Sequence, residues 1–278
     1  MKLYAISDLH VSHHENRRVL ASLPAHPEDW LAIVGDVGET PAELTWVLRT
    51  LRSRFRQLVW VPGNHELWTL PNDPVQLRGE LRYRYLVELC RGLGVLTPED
   101  AYAVFDSDGR QFVIAPLFLL YDYTFRPDGL NAQQAIARAW QAGVVCTDEL
   151  FLHPEPYRDR AEWCRARVEW TAARLAAVPA RYPVVLIAHF PLRRDLIDLA
   201  HIPEFALWCG TEQTHDWHRR FRAAVVVTGH LHRPGVQLRD GVRFEEVSLG
   251  YPSEWGRFGA PRPLREVLPG HSDWRCRP

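Results

Sequence analysis

Five short apolar runs in this chain each stop at a residue able to bind a metal or move a proton. Residues 3–7 lead into Asp8-Leu9-His10, and residues 31–35 into Asp36. Residues 59–63 lead into Asn64-His65-Glu66, residues 184–188 into His189, and residues 225–229 into His230-Leu231-His232. Apolar runs of this length bounded by turn residues read as buried strands. In open α/β sheets, ligands bind outside the carboxyl ends of the strands. Any fold for this chain must therefore account for five strand ends that all carry Asp, Asn or His.

The intervening segments read as helices and hairpins. Residues 15–23 predict a short helix ending at Pro24. Thr40, Pro41 and Glu43 mark a capped helix start, followed by Leu44, Val47, Leu48, Leu51 and Phe55 at helical spacing. A helix is expected over 75–91, stopped by Gly92. Extended runs follow at 95–96, 102–105 and 112–119, with Asp108-Gly109 as a hairpin turn between the last two. Asp159 and Glu162 open another helix, whose buried face is expected to be Trp163, Ala166, Trp170, Ala173 and Ala177. A closing hairpin spans 236–247 around Asp240-Gly241. Residues 120–158 have no clear periodicity and read as an insertion over the site. Long irregular segments inside a compact domain are usually functional or mobile. The whole length, 1–278, is expected to form one domain.

Composition narrows the function. The 33 basic and 34 acidic residues nearly cancel, giving a net charge of −1. A nucleic-acid binder carries a basic excess, so no nucleic-acid role is expected. Lys2 is the only lysine, which excludes mechanisms that need a catalytic lysine in the body of the chain. Cys90, Cys146, Cys164, Cys209 and Cys276 are odd in number and widely spaced. They read as reduced thiols in a cytoplasmic protein. The first strand starts at Lys2 or Leu3, so no signal peptide is expected. The longest apolar stretch, 113–121, is broken by Pro116 and is too short for a membrane span, so no membrane association is expected.

Each strand-end residue taken alone has an ordinary reading as a turn, cap or packing residue. Taken together they are four histidines, two aspartates and an asparagine. Imidazole with carboxylate suits zinc, iron, manganese or nickel rather than calcium, and the absence of cysteine argues against a structural zinc site. Seven ligands are too many for one tetrahedral ion but suffice for two that share a carboxylate. Paired ions of this kind hydrolyse phosphate esters.

In order along the chain, Asp8-x-His10, Gly35-Asp36, Gly63-Asn64-His65-Glu66, Ala188-His189 and Gly229-His230-x-His232 resemble the five blocks of the calcineurin-like metallophosphoesterases. The resemblance implies an α/β fold, a four-layer αββα sandwich of mixed sheets flanked by helices. It also implies two divalent or trivalent ions, manganese, iron or zinc, with manganese or iron favoured. One would be held by Asp8, His10, Asp36 and His232, the other by Asp36, Asn64, His189 and His230, with Asp36 bridging. A hydroxide between the ions would attack the phosphodiester. His65 would then be the proton donor to the leaving oxygen, and Glu39 its orienting carboxylate. A non-catalytic scaffold of the same fold is the contrary reading, but such proteins usually lose metal ligands, and all seven are present here.

Four further stretches resemble the actinobacterial phosphopantetheinyl hydrolases: 63–68, 118–125, 203–210, and 240–248 continuing to Trp255. That resemblance implies a holo-acyl carrier protein as partner, with 4′-phosphopantetheine removed from its serine. The alternative is a cyclic-nucleotide or general phosphodiesterase. An arm of this kind calls for an aromatic and cationic cleft, for which Tyr121, Tyr123, Trp208, Arg193, Arg194 and Arg233 are candidates. Residues 120–158 and 191–216 would form its walls.

Overall fold

A computed structural model of the chain describes residues 1–255 and 263–270. Alternation along the strands builds it. In β1 (Leu3–Ile6), Leu3 and Ala5 point one way and Ile6 the other. Successive strand side chains face opposite sides of a sheet, so each fully buried strand must feed two cores. β2 (His26–Ile33) and β3 (Phe55–Trp60) lie parallel to β1 in the order β1-β2-β3. The helices of this first half are α1 (His14–Ala21), α2 (Pro41–Arg52), α3 (Asn64–Leu67) and α4 (Gly79–Gly92). The hairpin of β4 (Ala103–Ser107) and β5 (Arg110–Pro116) opens a second sheet. Then come α5 (Ala132–Gln141), α6 (Asp148–Phe151) and α7 (Arg160–Ala176). β6 (Val184–Ile187), α8 (Trp217–Arg220) and β7 (Ala223–Thr228) follow, and the hairpin of β8 (Gly235–Arg239) and β9 (Val242–Glu246) completes this sheet in the order β4-β5-β6-β7-β9-β8. After α9 (Pro252–Trp255), β10 (Arg265–Leu268) returns to pair antiparallel with β1.

The sheets face each other across a core of Leu3, Ala5, Val34, Val59, Phe105, Ile114, Val185, Ile187, Val225 and Val227. Their outer faces, with Ile6, Ile33, Leu186 and Val226, pack under helices through residues such as Leu48, Leu86 and Trp163. The result is a helix–sheet–sheet–helix stack of mixed sheets. Strands β1, β2, β3, β6 and β7 end along one edge of it, where the five motifs begin.

Local chemistry accounts for the elements read correctly. Thr40 and Glu43 form the reciprocal cap of α2, and Asp159 accepts from the Glu162 amide at the start of α7. Asp108-Gly109 and Asp240-Gly241 both turn with positive φ, as tight hairpins require.

Several expectations need correcting. Helix α4 starts at Gly79 rather than Val75, because Asp73 accepts from the Val75 amide and holds a turn there. Residues 95–96 make only a bridge, Leu96 with Val59. The buried face of α7 is Trp163, Cys164, Arg167, Val168, Thr171 and Leu175, while Ala173 and Ala177 are exposed. Arg167 takes the place expected of an apolar residue, stacking on Phe118 and Trp170 and pairing with Glu99 at 2.7 Å. The stretch 120–158 holds α5, which opens on an Asn131–Gln134 capping box. Cys90, Cys146, Cys164 and Cys209 are free and buried; Cys276 lies outside the described residues. No helix among the described residues is long and apolar enough to cross a membrane.

Candidate metal centre

The seven strand-end residues converge. Asp8, His10 and His232 form one cluster, and Asp36, His189 and His230 a second, each with its ligand atoms within 4.8 Å of one another. The backbone bends sharply to do this. Asp8, His10, Asp36, His230 and His232 all have positive φ, between 38° and 72°. Outside glycine, that conformation is uncommon, and it tends to gather at functional sites. Gly63 and Gly229 permit the approach: a Cβ on Gly63 would run into the Asp36 carboxylate, and one on Gly229 into Ser7 and Asp8.

Neighbours set the direction of each ligand atom. His189 Nδ1 lies 2.8 Å from the Val34 carbonyl, so it carries the proton and Nε2 faces the site. His232 Nδ1 lies 2.8 Å from Glu254 Oε2, which likewise turns its Nε2 inward. That Nε2 stands 3.1 Å from His10 Nε2 and 3.1 Å from Asp8 Oδ1. The His230 amide and the Ser248 hydroxyl both donate to Asp8. Glu66 is buried and accepts from the amides of Asp36, Val37 and Gly63, tying the loop after β2 to the loop after β3. Asn64 gives its Nδ2 to Asp148 at 2.9 Å.

This arrangement fits cations. Asn64 Oδ1 and His230 Nε2 are buried without a hydrogen-bond partner among the described residues. His189 Nε2 has only Asp36 Oδ2, at 3.4 Å. Buried polar atoms normally find partners. Here the unpartnered ones are lone pairs of metal-ligand type that point at two buried carboxylates. The electrostatics agree. Burial opposes charge on His189, yet the Asp36 carboxylate overrides it and lifts the imidazole to about 10. Burial likewise opposes charge on His232, but hydrogen bonds to Asp8 and Glu254 lift it to about 11. By contrast, burial drives His10 and His230 down to about 3, leaving them neutral. Each cluster thus draws positive charge to its carboxylate and offers neutral nitrogen beside it.

The family model for calcineurin-like phosphoesterases matches residues 1–234. This chain belongs to that family. It is 51% identical over 269 residues to the [acyl-carrier-protein] phosphodiesterase PptH of Mycobacterium tuberculosis, covering 96% of this chain and 83% of that protein. The crystal structure of phosphopantetheinyl hydrolase (PptH) from Mycobacterium tuberculosis superposes with a TM-score of 0.93 at 50% identity, covering 96% of both chains. Family membership makes the chain a phosphoesterase and implies metal dependence, and the clusters above are among the groups able to meet it.

His65 stands beside these clusters and forms a third close group with His10 and Asp36. Its ring lies against Trp68, with centroids 3.8 Å apart, and its Nδ1 is 3.7 Å from Glu39 Oε1. Burial works against charge on His65, but the neighbouring carboxylates of Asp36, Glu39 and Asp148 together raise it above its ordinary value. Asp36, Asn64, His65, His230 and His232 open into a cleft of about 1010 Å³. Leu199, His201, Ile202 and Phe205, from the 191–216 segment, line one side, and Arg233 lines it near the ligands.

Three aromatic candidates are elsewhere. Tyr121 is fully buried among Tyr123 and Phe190. The Tyr123 hydroxyl and Trp208 Nε1 both donate to Glu149, which also pairs with Arg160. These rings pack the scaffold and do not line the cleft; Glu149 satisfies the polar tips of Tyr123 and Trp208, while the Tyr121 hydroxyl has no partner among the described residues. Arg193 is drawn away by Asp195 and Asp240, and Arg194 stands 3.9 Å from Asp128. His201 also lines the cleft. Sequence reasoning missed Tyr251, whose ring stacks on His10, and Glu254 behind His232. Neither has a local signature, because each meets its partner only through the fold.

Proposed function

We propose that this chain hydrolyses the phosphodiester of a holo-acyl carrier protein, freeing 4′-phosphopantetheine and restoring the carrier serine. The observation that carries this reading is the 51% identity to an [acyl-carrier-protein] phosphodiesterase across 96% of the chain, in a chain that keeps both ligand clusters. Two ions are proposed, manganese, iron or zinc, with manganese or iron favoured. Asp8, His10, Asp36 and His232 would hold one, and Asp36, Asn64, His189 and His230 the other. Such ions supply Lewis acidity, easing deprotonation of the attacking water and neutralising charge on the phosphoryl oxygens.

The side chains perform the rest. Asp36 stands with His189 and His230 and, separately, with His10 and His65, so it is the carboxylate that the two ions would share. Val34 and Glu254 hold His189 and His232 in the tautomers that present Nε2. In the reaction, water oxygen bonds to phosphorus and the bond from phosphorus to the serine oxygen breaks. His65, whose charged form Asp36 and Glu39 favour, gives its proton to that departing oxygen. The apolar wall of Leu199, Ile202 and Phe205 accommodates the arm, and Arg233 meets the acidic carrier. The protein is proposed to act in the cytoplasm, where carrier proteins are substrates.

The test is intact mass of a holo carrier protein after incubation with enzyme and Mn²⁺. Loss of the phosphopantetheine mass, with the apo serine as product, is expected. An unchanged carrier alongside rapid cleavage of bis-p-nitrophenyl phosphate would leave a phosphodiesterase of another substrate.

A further inference from the structure

Asp148 is a buried carboxylate that the reaction does not touch. It opens α6, inside the 120–158 stretch, and is fully buried. Its Oδ1 accepts from Asn64 Nδ2 at 2.9 Å and from Trp68 Nε1 at 2.6 Å. Its Oδ2 has no hydrogen-bond partner among the described residues. A half-satisfied buried carboxylate is a poor choice for stability alone, since burying such a group costs more than it returns unless every oxygen is paired. The backbone around it is nonetheless firmly held. Thr69 donates its amide to the Phe151 carbonyl at 3.0 Å, and Arg160 Nη2 donates to the Asp148 carbonyl at 2.6 Å.

What Asp148 does settle is the orientation of one amide. A carboxamide carries a donor and an acceptor of nearly equal size, so packing alone leaves it two orientations. With Nδ2 bound to Asp148, Asn64 Oδ1 must point away from Asp148, and Asn64 lines the same cleft as Asp36 and His230. The flipped amide would set its oxygen against the carboxylate. We infer that Asp148 is a positioning residue that fixes the Asn64 amide with its oxygen toward the metal site, and that this is what the 120–158 stretch contributes. The stretch thus supports the centre from behind instead of roofing the cleft, and no residue of it lines that cleft. The inference rests on Asn64 being a metal ligand.

Calorimetric titration of the metal-free protein with Mn²⁺ tests it, using Asp148→Ala, Asp148→Asn, Asn64→Ala and the double variant Asn64→Ala/Asp148→Ala. Asp148→Ala should weaken the ion on Asp36, Asn64, His189 and His230 by about 10–100-fold, the usual effect of losing a ligand's supporting partner. The ion on Asp8, His10, Asp36 and His232 should change by less than about threefold, because its ligands keep their own supports. Asp148→Asn keeps an oxygen able to accept both bonds and should restore binding to within about threefold of wild type. In the Asn64→Ala background, removing Asp148 should cost nothing further, because the two residues act as one unit.

Wild-type binding of both ions by Asp148→Ala overturns the inference. So do losses that multiply in the double variant, which mark a general structural role, and an Asp148→Asn variant as weak as Asp148→Ala. Should Asp148→Ala fail to fold, Asp148→Ser is measured against the same outcomes. If Asn64→Ala alone binds both ions normally, the ligand reading of Asn64 fails and this inference falls with it. If only Asn64→Ala weakens binding, the ligand reading stands and this inference alone fails.

Discussion

The two halves of the proposed metal centre are held differently. Around Asn64, His189 and His230 the supports come from the body of the fold: Val34 behind His189 and Asp148 behind Asn64. Around Asp8, His10 and His232 much of the support comes from one late segment. Ser248 donates to Asp8, Glu254 accepts from His232, and Tyr251 stacks on His10 with ring centroids 4.4 Å apart. One half therefore leans on the buried Val34 and Asp148, the other in part on the exposed Glu254. Asp36 is what the two halves share.

The largest effect should come from removing what is shared. Asp36→Ala should bind neither ion, read by elemental analysis after dialysis, and should reduce phosphodiester hydrolysis to background. An Asp36→Ala protein that keeps one ion at full affinity would show that the halves are independent. Next in size, His65→Ala should lower kcat by about 10²–10⁴-fold with both ions still bound, as loss of a general acid does. Loss of metal together with rate would make His65 a ligand instead.

Glu254→Ala then tests the asymmetry itself. It should weaken the ion proposed on Asp8, His10, Asp36 and His232 by about 10–100-fold and spare the other. Equal loss of both would mean that residues 248–255 support the whole centre. Smallest is a shift in pH dependence. Asp36 and Glu39 raise His65 above its ordinary value, so the protonated acid, and with it the rate, is present below that raised pKa and lost as pH rises through it. Glu39→Gln removes one raising partner, so the alkaline limb of the kcat profile should move to lower pH. A limb that stays in place would assign it to another group.

The same contrast explains what could be read without a structure. Strand ends, the Thr40–Glu43 cap and the Asp-Gly hairpins are local patterns, with their cause within a few residues. So are the ligand positions, since each follows directly on its own strand. The supports are different. Asp148 meets Asn64 across 84 positions, and Glu254 meets His232 across 22. Neither carboxylate has neighbours that distinguish it from a helix-start acid. Tyr121, Tyr123 and Trp208 fail for the converse reason. Their composition suits a binding cleft, and only three-dimensional packing shows that Glu149 and the core have already taken them. Helix α5 was hidden by the Pro and Gly residues around it, although Asn131 and Gln134 carried its capping signal.

The central claim is that two cations share the carboxylate of Asp36. An anomalous difference map of Mn²⁺-loaded crystals tests it most directly. Two peaks are predicted, one beside Asp8, His10 and His232 and one beside Asn64, His189 and His230, both in contact with Asp36. A single peak, or a pair with Asp36 turned away from either, would contradict it.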